Sequence, residues 1–221
     1  CAALLVASAA AIVGWAAAGD AATPGMRRLG DMYTSFMDEK RVEERGVAPL
    51  AALFADIAAI DGPQALARFF GRAQGLGIDV PMGTYVFPDA RKSTHNIAYF
   101  SQSGLGLPDR DYYLLDEQTY IDIRKKYVDY LAKLFTLAGE QGGAERAARI
   151  LELETAIARD QWTPVQNRDP VATYNRHGLD SANALAPEFD WRAFYAASGL
   201  PAGEFIVRQP SYATALGKQL G

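Results

Sequence analysis

A mainly α-helical fold, a multi-helix lobe with a small β-hairpin, is the class that this sequence predicts, on three observations. Apolar residues recur at three- and four-residue steps through most of the chain. β-Branched and aromatic residues concentrate in one closely spaced pair of runs. Two long helical patterns are separated by only a glycine turn. With 221 residues, 49% hydrophobic and 22% charged, the chain has ordinary globular composition, unlike a disordered tail or a coiled-coil rod.

The elements follow in order. From Gly30 to Ile60, Met32, Tyr33, Phe36 and Met37, then Leu50, Leu53, Phe54, Ile57 and Ile60, keep helical spacing. Gly46 stops the first helix, and Pro49 fits the first turn of the next, where its missing N–H is not needed. Asp61-Gly62-Pro63 ends that second helix, and Gln64 to Gln74 forms a third, closed by Gly75 and Gly77. Thr84 to Phe87 and Ile97 to Phe100, bounded by Pro88-Asp89 and Ser103-Gly104, predict the hairpin. A long helix from Glu117 to Ala138 carries Ile121, Tyr127, Tyr130, Leu131, Leu134 and Leu137 as its stripe. After Gly142-Gly143 its antiparallel neighbour runs from Ala144 to Trp162, with Ile150, Leu153, Ile157 and Trp162 inward. Short helices at 181–186 and 191–198 and a strand at 204–207 complete the pattern.

Both ends read as cuts. Residues 2 to 19 carry no charge and are dominated by alanine and glycine. They are short of the roughly 20 residues that span a bilayer, but longer than the about 7–15 of a signal core. An export signal or anchor, an Ala-rich buried helix, and lipidation at Cys1 are the readings this segment allows. At the other end, a helix has only just begun at ATALGKQLG.

Charge and residue counts exclude several chemistries. Twenty-six acidic against 22 basic residues give a net charge of -4, so no nucleic-acid partner is expected. One cysteine forms no internal disulfide, and of the two histidines neither His95 nor His177 begins an H-E-x-x-H helix. No nucleophile elbow or P-loop is present. Two carboxylate pairs occur, but Glu152 and Glu154 project about 200° apart on a helix. One of them is expected to face solvent and the other to support a loop or ion pair. Asp109 and Asp111 are expected to cap turns and pair with Arg110.

The densest polar and aromatic segment is GLGLPDRDYYL at 104–114, with Asp109, Arg110, Asp111, Tyr112 and Tyr113 as candidate contacts for a loop or a second lobe. Arg168 and Asp169, within NRDP at 167–170, are candidates for the same role in another irregular loop. Ordering such a segment is unfavourable unless it packs against something.

These words carry a resemblance. KSTHNIAYFSQS followed by GLGLPDRDYYL is similar to the N-terminal domain of the neprilysin-like (M13) zinc metallopeptidases. So are YTSFMDE at 33–39 with Gly46, Pro49 and Leu50, LELETAIA at 151–158, WTPVQNRDPVATYN at 162–175, FDW at 189–191 and IVRQPSY at 206–212, in the same order. The resemblance implies a parent peptidase that binds zinc through H-E-x-x-H and a downstream Glu, and a helical lobe that caps the site and admits small peptides. It covers the capping lobe alone. No catalytic or metal role carries over to any residue of this chain, so zinc, the catalytic domain and peptide substrates belong to the parent. The chain alone is expected to be inactive, and the parent to be periplasmic, extracellular or anchored facing outward. The segment 1–25 matches none of the motifs quoted and is expected to be a signal, an anchor or a misjoined 5′ end, with 26–221 an N-terminal domain incomplete at its C-terminus. A stand-alone helical module that binds peptide or protein through the Arg110 loop is the alternative.

Overall fold

The computed structural model describes residues 11–17, 23–200 and 203–220. Most of the apolar segment on which the signal or anchor reading rests, residues 1–10 and 18–22, lies outside the described residues. Among those described, no helix is long and apolar enough to cross a membrane. The chain divides into two units, Cys1–Ala52 and Leu53–Gly221.

In the first unit, helix α1 covers residues 11–17 and α2 covers Pro24–Met37, where Thr23 Oγ1 accepts from Met26 N. A Cβ on Gly30 would lie 2.8 Å from Ala16 Cα, so this glycine lets the two helices touch backbone to backbone. The single helix expected up to Gly46 is in fact two. Asp38 interrupts it, because its carboxylate accepts from Arg41 N and so caps α3 (Glu39–Arg45). Gly46 then ends α3 at φ +48°, as its freedom from a Cβ allows. Pro49 sits in a 3-10 turn, Ala48–Leu50, that leads into α4 (Ala51–Ala58).

The second unit is built on a four-stranded sheet ordered β1-β2-β4-β3. The hairpin of β1 (Met82–Asp89) and β2 (Lys92–Gln102) is longer than its hydrophobic runs suggested, because antiparallel pairing carries on from Val86↔Ala98 to Pro88↔Asn96. β4 (Phe205–Val207) joins β2 in parallel, and β3 (Asn175–His177), too short and polar to signal itself, pairs antiparallel with β4. Side chains alternate across the sheet. Ala98, Phe100, Phe205 and Val207 enter the main core, whereas Ile97, Tyr99 and Ile206 form a smaller cluster with Tyr174.

The main core is aromatic. Phe100, fully buried, packs against Trp191, Phe194, Tyr195 and Phe205 with ring centroids 4.6 to 6.2 Å apart. α10 (Trp191–Ala197) supplies three of these rings and lies against α5 (Pro63–Gly75). The contact passes over Gly71, where a Cβ would come 2.5 Å from Phe194 O. α9 (Leu179–Leu185) and α11 (Pro210–Leu220) close the core with Ala182, Tyr212 and Leu216.

α7 (Gln118–Leu137) and α8 (Gly143–Asp160) pair as expected, across the glycine turn. Their inner faces differ from the expected stripes. Ile121, Tyr130, Leu134 and Leu137 of α7 are exposed, as is Leu153 of α8, while Ala147, Ile157 and Ala158 are buried. The partly covered face of α7 is instead the one carrying Ile123, Tyr127, Val128, Leu131 and Phe135, rotated from the expected stripe. An apolar stripe of α7, Tyr130, Leu134 and Leu137, therefore remains on the surface, whereas α8 leaves Leu153 exposed.

Candidate functional site

A polar cleft of about 360 Å³ lies where β2 and β4 end. The chain emerging from β2 makes one wall and the chain emerging from α8 makes the other, so the two irregular loops singled out in the sequence come together.

The first loop is locked from several sides. Gly104 adopts φ +80°, and a Cβ there would lie 2.7 Å from Pro81 Cα, so glycine is required both by conformation and by space. Asp109 Oδ1 accepts from Asp111 N at 2.8 Å, and Arg110 Nη1 lies 3.7 Å from Asp111 Oδ1. Arg110 Nε donates to Ala158 O, a last-turn carbonyl of α8 that has no helical partner of its own. The short helix α6 (Asp111–Leu114) then buries Tyr113. Its hydroxyl accepts from Leu107 N and donates to Glu154 Oε2, both at 2.8 Å, while Tyr127 donates to Glu154 Oε1 at 3.0 Å. Burial, reinforced by the Glu154 carboxylate, pushes both phenols well above the usual tyrosine range. Tyr112 packs edge-on against Tyr120, and its carbonyl accepts from Arg124. Glu152 is exposed and Glu154 supports the loop.

The second loop braces itself. Asp169 Oδ1 accepts from Val171 N and Ala172 N, which holds its carboxyl below the ordinary range, and Thr173 Oγ1 donates to Asp169 O. Arg168 is exposed, and its side chain makes no hydrogen bond or ion pair among the described residues, so it does not fix the loop as expected from sequence.

Three glutamines join the loops. Gln102 donates to Trp162 O at 2.9 Å and accepts from Trp162 N at 2.7 Å. Its own N–H donates to Gln209 Oε1, and Gln209 Nε2 reaches Asn167 Oδ1 at 2.7 Å. Gln161 Nε2 donates to Ser103 O. Gln209 is 2% exposed, so its amide needs all these partners. Sequence reasoning passed over Gln102, Gln161 and Gln209 because a neutral amide announces no chemistry; their place within the motif words was the available signal. Asp89, a hydrogen-bonding hub, had no sequence signal either. Buried at the hairpin turn, it accepts from Arg91 N, Tyr174 OH and Arg176, and the Arg91 amide does most to lower its pKa.

The described residues do not fit a zinc ion. His95 is exposed and shares a hydrogen bond with Thr94. His177 bonds Ser181, and desolvation lowers its pKa. The strands carrying the two histidines are separated by β4. Among the described residues no three His, Cys, Asp or Glu side chains converge to hold a metal. What the cleft offers is amide and guanidinium hydrogen bonding, suited to holding backbone in place.

Comparison with known proteins agrees with the motif series. The family model for the N-terminal part of peptidase family M13 matches residues 7–221 and so takes in most of the Ala-rich segment. Endothelin-converting enzyme 1 of Cavia porcellus is 32% identical over 173 residues, 73% of this chain and 22% of the relative. Human membrane metallo-endopeptidase-like 1 is 25% identical over 77% of this chain and 25% of its own length. Among solved structures, the zinc metalloprotease Zmp1 of Mycobacterium tuberculosis superimposes with a TM-score of 0.85 at 33% identity, covering 95% of this chain and 32% of that one. The chain thus spans about a fifth to a third of these proteins. By family match, sequence identity and fold together, this chain belongs to peptidase family M13.

Proposed function

We propose that the chain is the capping lobe of a zinc metalloendopeptidase that cleaves small peptides, with zinc and the catalytic groups supplied by a separate domain of the same polypeptide. The observation that carries this reading is the match of nearly the whole chain to one third of a zinc metalloprotease, at 33% identity. Among the described residues no three His, Cys, Asp or Glu side chains gather to hold a metal. Zinc, when bound in the parent, would activate water for peptide hydrolysis. This chain contributes walls, and a polar cleft held rigid by amides.

Surface chemistry supports a large partner. Met32 and Phe36 on α2 are 73% and 80% exposed, and they line an apolar groove with Val42 in the first unit. Tyr130, Leu134 and Leu137 form the exposed stripe of α7. Apolar faces of this kind on a water-soluble surface ask for a cover, and the catalytic domain of the parent is the cover proposed. An outward location, secreted or membrane-anchored, accompanies the reading.

The test is direct. The purified 221-residue chain should hold no stoichiometric zinc and cleave no peptide, whereas the same chain within a polypeptide carrying the H-E-x-x-H segment should do both. Metal-dependent cleavage by the 221 residues alone would overturn the assignment.

A further inference from the structure

We propose that one face running through α2 and α3 is a docking seam for a single helix of the parent's catalytic domain, an amphipathic helix that carries lysine or arginine beside its apolar ridge. Met32, Ser35, Phe36, Glu39, Val42 and Glu43, all in the first unit, line one open groove of about 660 Å³. Their spacing is that of a coiled-coil seam, with Met32 and Glu39 at a, Ser35 and Val42 at d, and Phe36 and Glu43 at e. Asp38 ends α2 and caps α3, yet both helices line the same groove, so the seam survives the break. Val42 is 55% exposed and, with Met32 and Phe36, leaves the apolar part of the seam open on both helices.

The charges on the seam select its occupant. Glu39 stands at a central position between Phe36 and Val42, and Glu43 follows one turn on. No basic residue lines the groove, and Lys40 of α3 is turned to Glu44, 3.8 Å away. A helix seated here desolvates Glu39 and so has to bring a cation to it. That cation also fixes the register of the pairing. A second copy of this chain does not meet the demand. Parallel pairing sets Glu39 against Glu39, and antiparallel pairing that overlays seam on seam sets Glu39 against Phe36 and Glu43 against Met32. A bilayer does not meet it either, because a carboxylate lies within the apolar face that would enter it.

The seam deepens the capping reading and rests on it only for the source of the helix. The probes are two dye-labelled three-heptad peptides with leucine at a and d, one with lysine at e and g and the other with glutamate there. Each is titrated with the 221-residue chain by fluorescence anisotropy. The lysine peptide should bind at least about tenfold more tightly, the ratio expected when two attractive pairs replace two repulsive ones. Glu39→Lys combined with Glu43→Lys should reverse the preference. Phe36→Asp should abolish binding of either peptide with the melting temperature unchanged, because Phe36 is 80% exposed. Equal affinity for the two peptides, or a lysine preference that survives the double charge reversal, would overturn the proposal. So would a dimer of the chain that Phe36→Asp dissociates, or sedimentation with phosphatidylcholine–phosphatidylglycerol vesicles that Phe36→Asp abolishes. Metal-dependent cleavage by the 221 residues alone would sink the capping reading and leave the peptide preference standing.

Discussion

The two loops that meet at the polar cleft are ordered in opposite ways. The segment 104–114 is held from outside: Arg110 reaches α8, and the Tyr113 and Tyr127 hydroxyls converge on Glu154. The segment 163–175 is held largely from inside, by Asp169 and Thr173 closing their own turns. An externally pinned loop ties its order to the whole second unit. The second loop takes its long-range hydrogen bonds at Asn167 and Tyr174 and braces the residues between by itself, which leaves the Arg168 side chain unengaged among the described residues. Rigidity and availability are thereby separated along one cleft.

The largest perturbation should abolish the contrast. Phe100 stands two residues before Gln102, which serves both loops, and Phe100→Ala should cost about 3–5 kcal/mol and loosen both, seen as parallel loss of hydrogen-exchange protection. Glu154→Ala should act on the first loop alone. It strands two phenols and should cost about 2–3 kcal/mol. In the parent chain both phenols titrate above the ordinary tyrosine value, because the fold favours their neutral form. Their contribution is therefore complete below about pH 10 and lost as pH rises beyond it. An alkaline unfolding midpoint that does not move in Glu154→Ala would break this link.

Arg110→Ala should cost about 1–2 kcal/mol through the freed Ala158 carbonyl. In a chain of this size that lowers the melting temperature by about 2–4 °C per kcal/mol. Metal affinity of any zinc-bearing parent should not change. Asp169→Ala should have the smallest effect on global stability but should expose residues 163–173 to proteolysis. Its carboxyl is held low in the fold, so its contribution is present above the ordinary aspartate pKa and fades as pH falls through the lowered value. Equal proteolytic sensitivity in Arg110→Ala and Asp169→Ala would mean that the loops are ordered alike after all.

Much of the helical fold was legible beforehand for a physical reason. Helix periodicity, glycine stops and proline starts are local, and α5, α7, α8 and the hairpin fall where those signals placed them. Local signals also misled where two states compete locally. Asp38 lies within the span read as one helix, but its short carboxylate prefers to cap α3. The strand β3 has no pattern of its own, and exists because β4 offers it an edge.

By itself, the sequence determined the helical class, the order of its motifs and thereby the family, since those properties reside in residue types and short spacings. Only tertiary structure decided which apolar stripe is covered, which of two glutamates supports a loop, and which of the two loop arginines, Arg110 and Arg168, is pinned. Those outcomes depend on contacts such as Gln102 with Trp162 and Arg110 with Ala158, 60 and 48 residues apart. No local preference encodes such pairings. The free energy that selects them comes from burying an amide or a guanidinium with its partners already in place.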